Sequence, residues 1–422
     1  MRIAIVGSGI AGLTCAHVLG PHHDVTLFEA STRLGGHSNT VTVDDPAAGE
    51  LAIDTGFIVH NDRNYPNLVR LFDELGVPVQ DTEMSFGVND RGSSFTYRAT
   101  SLRTLFADRR NLVRPAMWRM LFDIARFYRE GNRLLEAADR GDDVDETQSI
   151  GEFLDAGRYS DAFRDLHLIP MGSSVWSADP TTFDAFPAIS LLRFLKNHGL
   201  LGVGDRPQWR TIRGGSRVYV DAIAERFPGE IRRATPVRSV ARDDDGVVVT
   251  TDGGIERFDR LVLACHSDQA LDLLVDPSPE EKEVLGAIRY QPNRATLHTD
   301  TELLSPIPAT WSAWNYDRPQ ADDPSDLSTL TYDMTELQRL PGERRYLVSL
   351  NSDHRIDPDS VIVSFDYAHP VFDGPAIDAQ RRFDEIDGIR HTHFCGAYWS
   401  YGFHEDGMAS GLRVCRRLGV DW

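Results

Sequence analysis

The sequence predicts an α/β chain, α+β overall, in which a parallel sheet wound with helices is interleaved with a second domain of mixed sheet plus helices. Three observations predict it. An apolar, β-branched strand opens the chain and runs into closely spaced glycines and a helix. A long block of helical patterning then interrupts the strand–helix alternation. Beyond it the strands resume, and the chain ends on a glycine-entered helix. At 422 residues the chain is also long for a single core.

Residues 3–6 read as a buried strand, and Gly7, Gly9 and Gly12 follow as G-x-G-x-x-G. The stretch Ala11–Leu19 is helix-forming, and a second strand, Val25–Phe28, ends in Glu29. Strand, glycine turn, helix, strand and acid about 20 residues on is the context a Rossmann dinucleotide fingerprint requires. Gly7 permits the tight turn, and Gly9 lets the backbone approach a pyrophosphate on the helix N-terminus. Gly12 lets the helix pack on the sheet, and the Glu29 carboxylate can accept hydrogen bonds from a ribose. The glycines leave NAD and FAD open. The next residues, "STRLGG", place Arg33, Gly35 and Gly36 directly after the acid, as a second phosphate-facing loop would.

With these residues the chain resembles the flavin amine oxidase and phytoene desaturase superfamily, in which E-x-x-x-R-x-G-G extends the FAD site. The resemblance implies non-covalent FAD held by Gly7, Gly9, Ile10, Ala11, Gly12, Glu29, Ala30, Arg33, Leu34, Gly35, Gly36 and His37. Further contacts it implies are Thr55, Gly56, Phe57, Val237 and Gly396. It also places Gly407, Met408, Ala409 and Ser410 of the terminal "GMASG" stretch against the flavin pyrimidine. A helix starting near Gly407 would aim its positive end at that ring. No cysteine is positioned as an obvious tether, Cys395 being the one near the flavin loop.

The remaining elements follow in order. "TVTVDD" and "ELAIDTGF" read as paired strands, and Tyr65–Leu75 as a helix stopped by Gly76. Helical patterning runs from Ser101 to Ala138, then over Ile150–Ala156 and Asp161–His167, and from Pro187 to about His198. "RGGSRVYVDAIAERF" is a glycine turn entering a helix. An antiparallel sheet follows, leading to the buried strand Leu261–Cys265. Strands from Ala295 to about Phe365 form the floor of a substrate pocket. The expected boundaries are residues 1–80, 206–290 and 386–422 for the cofactor domain, with 81–205 and 291–385 for the substrate domain.

Hydrophobic content of 41% and charged content of 26% describe an ordinary globular chain, with no run long enough to span a bilayer. A first strand at residue 2 or 3 argues against a signal peptide, so a cytoplasmic location is expected, with the inner face of the membrane as a further site. The net charge of −20 argues against nucleic acid as a partner. Cys15, Cys265, Cys395 and Cys415 show no metal-ligand spacing, and no metal is expected.

"DTGFIVHNDRNYPNLVRLFDELGV", "SAWNY" and "FCGAYWSYGFHEDGMASGL" are similar to a subgroup of predicted NAD/FAD-binding oxidoreductases that accompany cyclopropane-fatty-acyl synthases. That resemblance implies a two-electron oxidation of an apolar acyl chain, and an acyl-lipid methyltransferase as a partner. Amine oxidation, and an accessory subunit that keeps FAD for structure, stand as alternatives. Amine oxidases of the superfamily hold a lysine near the flavin on the substrate sheet. Here the lysines are Lys196 and Lys282, and that sheet carries Arg294 instead. Candidate catalytic groups are His404 and His60, which would titrate near neutrality, and Tyr398 in an aromatic wall with Trp399, Tyr401 and Phe403. His298 is a further histidine of the substrate sheet. Residues 109–135 hold seven arginines among aromatic and aliphatic residues, which reads as one basic amphipathic helix able to lie on an anionic membrane.

Overall fold

The computed structural model describes residues 1–176, 183–202, 204, 206–318 and 329–422. Five parallel strands form the first sheet, in the order Glu230–Arg232, Asp24–Phe28, Arg2–Val6, Arg260–Leu263, Thr392–Phe394. Side chains on a strand alternate between faces, and both faces here are apolar. Ile3, Ile5, Val25, Leu27 and Val262 pack under the helices Ile10–Leu19, Pro66–Leu75, Arg217–Arg226 and His404–Arg417. Ala4, Val6, Phe28, Leu261 and Leu263 face the opposite way, onto the antiparallel meander Val237–Asp243, Gly246–Thr251, Gly254–Phe258. The sheet is thus wrapped on both sides, and it draws its strands from three separated parts of the chain.

The second sheet has seven strands, in the order Val361–Pro370, Tyr290–His298, Leu347–Leu350, Thr329–Asp333, Trp314–Asp317, Phe86–Asp90, Phe95–Arg98. All its pairings are antiparallel except Trp314–Asp317 against Phe86–Asp90. Residues 319–328, inside the expected run of strands, lie outside the described residues. A helical layer completes the substrate side: Pro115–Arg140, Ile150–Ala156, Ile169–Trp176 and Ala188–Asn197 close over Phe127, Leu154, Phe163, Leu191 and Leu195.

Two helices differ from the sequence reading. The helix expected over Ser101–Ala138 is three pieces: Leu102–Leu105, a 3₁₀ turn at Arg109–Leu112, and Pro115–Arg140. The breaks have local causes. Ser101 and Asp108 each accept a backbone N–H and restart the chain as N-caps, and Pro115 has no N–H to continue the preceding turn. The terminal helix starts at His404, three residues before Gly407. The Asp406 carboxylate accepts the Phe403 N–H at 2.8 Å and sets that start.

Candidate active site

A cavity of about 1030 Å³ lies where these layers meet. Its wall takes Val6, Phe28 and Ala264 from the carboxyl ends of the parallel strands, where open α/β sheets bind their ligands. Trp314, Tyr332 and Tyr367 come from the second sheet, Met171 and Phe194 from the helical layer, and Phe403 and His404 from the terminal helix. Such a volume is at the top of the range for small-molecule pockets, as a dinucleotide and a substrate together demand.

The glycine turn has the geometry of a pyrophosphate cradle. A methyl on Gly7 would meet the Ala264 carbonyl oxygen at 2.8 Å, with φ at +103°. One on Gly12 would sit 1.9 Å from the Gly7 carbonyl oxygen. These two glycines serve the backbone crossing. Gly9 differs: nothing lies within 4 Å of an added Cβ, and the residue faces the cavity. It begins the helix Ile10–Leu19 with no side-chain cap, leaving first-turn N–H groups for an anion. Gly36, at φ +57°, closes the other side, 3.1 Å from the Gly9 Cα measured from its own built Cβ.

The Glu29 carboxylate stands at the end of its strand and accepts from the Ser8 N–H at 3.0 Å, the Ser8 hydroxyl at 2.5 Å and the Ser31 N–H at 2.7 Å. Gly35 and Ala30 complete this wall with Ile10 and Ala11. Arg33 lies off the wall, and its guanidinium ties the loop together by donating to the Leu34 and Ser38 carbonyls. Leu34 is buried in the core beneath. Thr55, Gly56, Phe57 and Val237 all line the cavity. The Phe57 N–H donates to the His37 carbonyl at 2.8 Å, so these two segments hold each other.

Four observations show that this site fits FAD: the open face of Gly9, the uncapped helix, the acid at the strand end, and an orphaned atom. His37 Nε2 is buried in the wall without a hydrogen-bond partner. Around that ring gather Tyr367, His369 and His266, with centroids at 4.8, 5.5 and 6.1 Å. Burial holds His37 well below the ordinary histidine range, and His369 at about 4. His266 follows a buried strand at the edge where Rossmann sheets take ligands, a signal present in the sequence. Tyr367 and His369 come from a strand whose register only the folded sheet sets.

The terminal helix meets the cavity differently from the sequence expectation. Gly407, Met408, Ala409 and Ser410 do not line it. Because the helix starts early, they fall a turn further along. Gly407 abuts Ile10, Met408 is in the core, and Ser410 accepts the Gly396 N–H at 2.9 Å. Ala409 faces outward. Phe403 and His404 form the wall instead, with Gly396 and Tyr398 beside them.

The three candidate catalytic side chains have different surroundings. His404 is on the wall: its Nε2 lies 2.8 Å from the Tyr219 hydroxyl and 3.2 Å from Ser38 Oγ, and its ring stacks on Phe57 at 3.8 Å. Burial pushes it down to about 3, so it is neutral at neutral pH rather than titrating there. Tyr398 is also on the wall, with its hydroxyl unpartnered and its pKa raised by burial. His60 is not: it turns its edge to Phe72, 5.1 Å away in the core, and burial holds it at about 4. His298 is likewise buried elsewhere, 2.8 Å from Ser349 Oγ.

The cysteines are redistributed too. Cys395 is fully buried with its sulfur 4.0 Å from that of Cys15, away from the wall. Cys265 lines the cavity, and burial raises it to about 12, which keeps it a thiol. Both lysines are exposed and off the wall, and Arg294 is at the surface with Asp366. Among the described residues no group of side chains could hold a metal ion.

Comparison with known proteins agrees with this geometry. The chain matches the family described as flavin containing amine oxidoreductase over residues 10–419. It is 26% identical over 290 residues to a putative flavin-containing monoamine oxidase of Mycobacterium tuberculosis, covering 65% of this chain and 59% of that relative. The chain therefore spans less than two thirds of that relative's length. A 40-residue stretch is 58% identical to an L-amino-acid oxidase of Pseudechis australis, covering 9% of this chain and 8% of the relative. Solved structures share the fold: a CLA-producing fatty acid isomerase from P. acnes has TM-score 0.70 at 16% identity, covering 99% of this chain and 98% of that one. A putative protoporphyrinogen oxidase from Exiguobacterium sp. 255-15 has TM-score 0.69 at 18% identity, covering 99% and 98%. A putrescine oxidase has TM-score 0.68 at 16% identity, covering 99% of each chain. With 410 of its 422 positions spanned by the family match and a cradle that fits the cofactor, the chain belongs to the flavin containing amine oxidoreductase family.

Proposed function

We propose that this protein carries out a two-electron oxidation of an apolar acyl chain, free or on a lipid. One observation carries the reading. Away from Glu29, the charged side chains on the described wall are Glu83, Arg206 and Asp272, and all three are exposed. Glu83 is moreover paired with Arg98. The same wall carries Phe86, Met171, Val175, Phe194, Trp314 and Phe372, alongside neutral polar residues such as Ser85 and Gln208. An alkyl chain gains from such a wall, whereas an ammonium group there would lose its hydration and, among the described residues, meet no buried or half-buried carboxylate on that wall beyond Glu29.

A bound flavin would supply a two-electron acceptor for one hydrogen with its electron pair, the other hydrogen leaving as a proton. The protein's part is to exclude water with the apolar wall and to orient the chain. His404 acts as a positioning residue: neutral, and held by Tyr219 and Ser38, it fixes the stack on Phe57 at the cavity wall. Tyr398 offers the unpaired hydroxyl at the same wall.

The test is anaerobic incubation of FAD-loaded protein with fatty acids and phospholipids in one arm, and with primary and secondary amines in the other. Flavin bleaching by lipid, with a product two hydrogens lighter, is the expected result. Bleaching by amines alone would overturn it, as would a lipid product of unchanged mass. Bleaching by neither would point to a flavin kept for structure.

A further inference from the structure

We propose that the knuckle formed by residues 101–122 docks on an anionic bilayer surface. Large hydrophobic side chains rarely stand out in water together. Here Val113 is 82% exposed, Leu102 73%, Phe122 68%, Trp118 53% and Leu112 51%. They are nearly half of the strongly exposed large hydrophobics of the described chain, concentrated in a twentieth of its length. The remainder are scattered singly or in pairs along the chain.

The patch is built rather than loose. The Trp118 indole N–H donates to the Leu112 carbonyl at 2.9 Å, and its ring lies 5.5 Å from that of Phe106. Phe122 follows Trp118 by one helical turn, on the same face. Asn111 is fully buried and donates to the Thr96 carbonyl at 2.9 Å, while the Arg114 guanidinium donates to the Ser94 carbonyl at 2.9 Å. The apolar tip at Val113 is therefore presented on a fixed base, with little ordering left to lose on docking.

Charge selects the occupant. On a chain of net charge −20, this segment holds five arginines against one acid. That acid, Asp108, is buried and bound to Arg110 and Arg114. Arg103, Arg109 and Arg119 are exposed, with no ion-pair partner among the described residues. Exposed apolar side chains interspersed along this segment with exposed arginines match an acyl boundary beneath anionic headgroups. Thr100, two residues before Leu102, is itself on the rim of the cavity, so docking would set that rim at the membrane.

The surface differs from the helix face read from the sequence. Arg110 and Arg114 are engaged by Asp108 and Ser94. Further along, Arg126 pairs with Asp123 and lies over the Tyr159 ring at 3.9 Å, and Phe127 faces the core. Docking is confined to the start of the long helix and the turns before it.

The experiment is co-sedimentation of the full-length, FAD-loaded protein with vesicles of phosphatidylcholine alone or mixed with phosphatidylglycerol, at low and high salt. Binding is expected with anionic vesicles, weakening as salt rises, with a blue shift of Trp118 fluorescence. The triple variant R103Q/R109Q/R119Q should lose roughly 100-fold in affinity, about fivefold for each arginine. V113D/F122D should abolish binding, and because both side chains are exposed, flavin content and thermal midpoint should be unchanged. No sedimentation, or equal sedimentation with neutral vesicles, would overturn the proposal. So would a concentration-dependent dimer dissolved by V113D/F122D, which would assign the patch to a second copy. The measurement uses no substrate, so its outcome is separate from that of the activity screen.

Discussion

Substituting alanine at each of the three fingerprint glycines should produce two kinds of damage. Gly9 adopts φ −65° and ψ 177°, values open to any residue, and an added methyl has no neighbour within 4 Å. Gly9→Ala should therefore fold, losing up to about 1 kcal/mol for alanine at an N-cap. The same methyl projects into the cradle at the uncapped helix end. Pushing an anion outward there weakens charge-assisted hydrogen bonds worth about 1.5–3 kcal/mol each, so FAD affinity should fall by roughly 10- to 100-fold. Gly7→Ala must hold a side chain at φ +103°, 2.8 Å from the Ala264 oxygen. That costs roughly 1–2 kcal/mol for the conformation, with the clash in addition. Gly12→Ala places carbon 1.9 Å from the Gly7 oxygen and separates the helix from the sheet. Overpacking of this kind costs about 1–3 kcal/mol or more. The assay pairs urea unfolding of the FAD-stripped proteins with a fluorescence titration of FAD. Gly9→Ala should be near wild type in the first and impaired in the second, and Gly7→Ala and Gly12→Ala impaired in the first. Wild-type FAD affinity in Gly9→Ala, or undiminished stability in the other two, would refute the cradle as described.

Glu29→Ala should lower FAD affinity by roughly 10- to 100-fold, the value of one charge-assisted pair, because the carboxylate set by Ser8 and Ser31 stands at the strand end where a dinucleotide fingerprint puts its ribose acceptor. Full flavin retention through gel filtration would count against it. Acid should destabilise the fold well above the carboxylate range. Burial lowers His60, His167, His298 and His369 to about 4 and His404 to about 3. A histidine lowered in the fold binds its proton first in the unfolded chain, so its stabilising effect is complete above about 6.5 and drains away as pH falls toward 4. Asp54 and Asp406, raised to about 6 by burial, act oppositely, taking up protons in the fold as pH drops below 6. Five groups against two leave a net loss, up to about 2 kcal/mol per histidine by pH 5. Urea midpoints should fall between about pH 7 and about pH 5. A midpoint that rises would show that these histidines are hydrated.

What the sequence determined by itself was whatever is local. Glycine is demanded by backbone geometry within a few residues, so Gly7, Gly9, Gly12, Gly35 and Gly36 announce the cradle before any fold is known, and Glu29 follows at a strand end. Pro115, Ser101 and Asp108 carry equally local signals, and they outrank the helical composition that bridges them. The start of the last helix was less legible, since the cap at Phe403 rests on an Asp406 carboxylate that reads as an ordinary loop acid. Tertiary structure alone decided which titratable groups face the cavity. His60 and His404 look alike as letters, yet one turns to Phe72 in the core and the other stands on the wall against Phe57. Cys395 and Cys265 exchange places for the same reason. Burial and orientation depend on strands and helices far apart in the chain coming together, as when Tyr367 and His369 are brought to His37 across more than 300 residues. A side chain's pKa and its access to a ligand are properties of that assembled dielectric and shape, which no local stretch encodes.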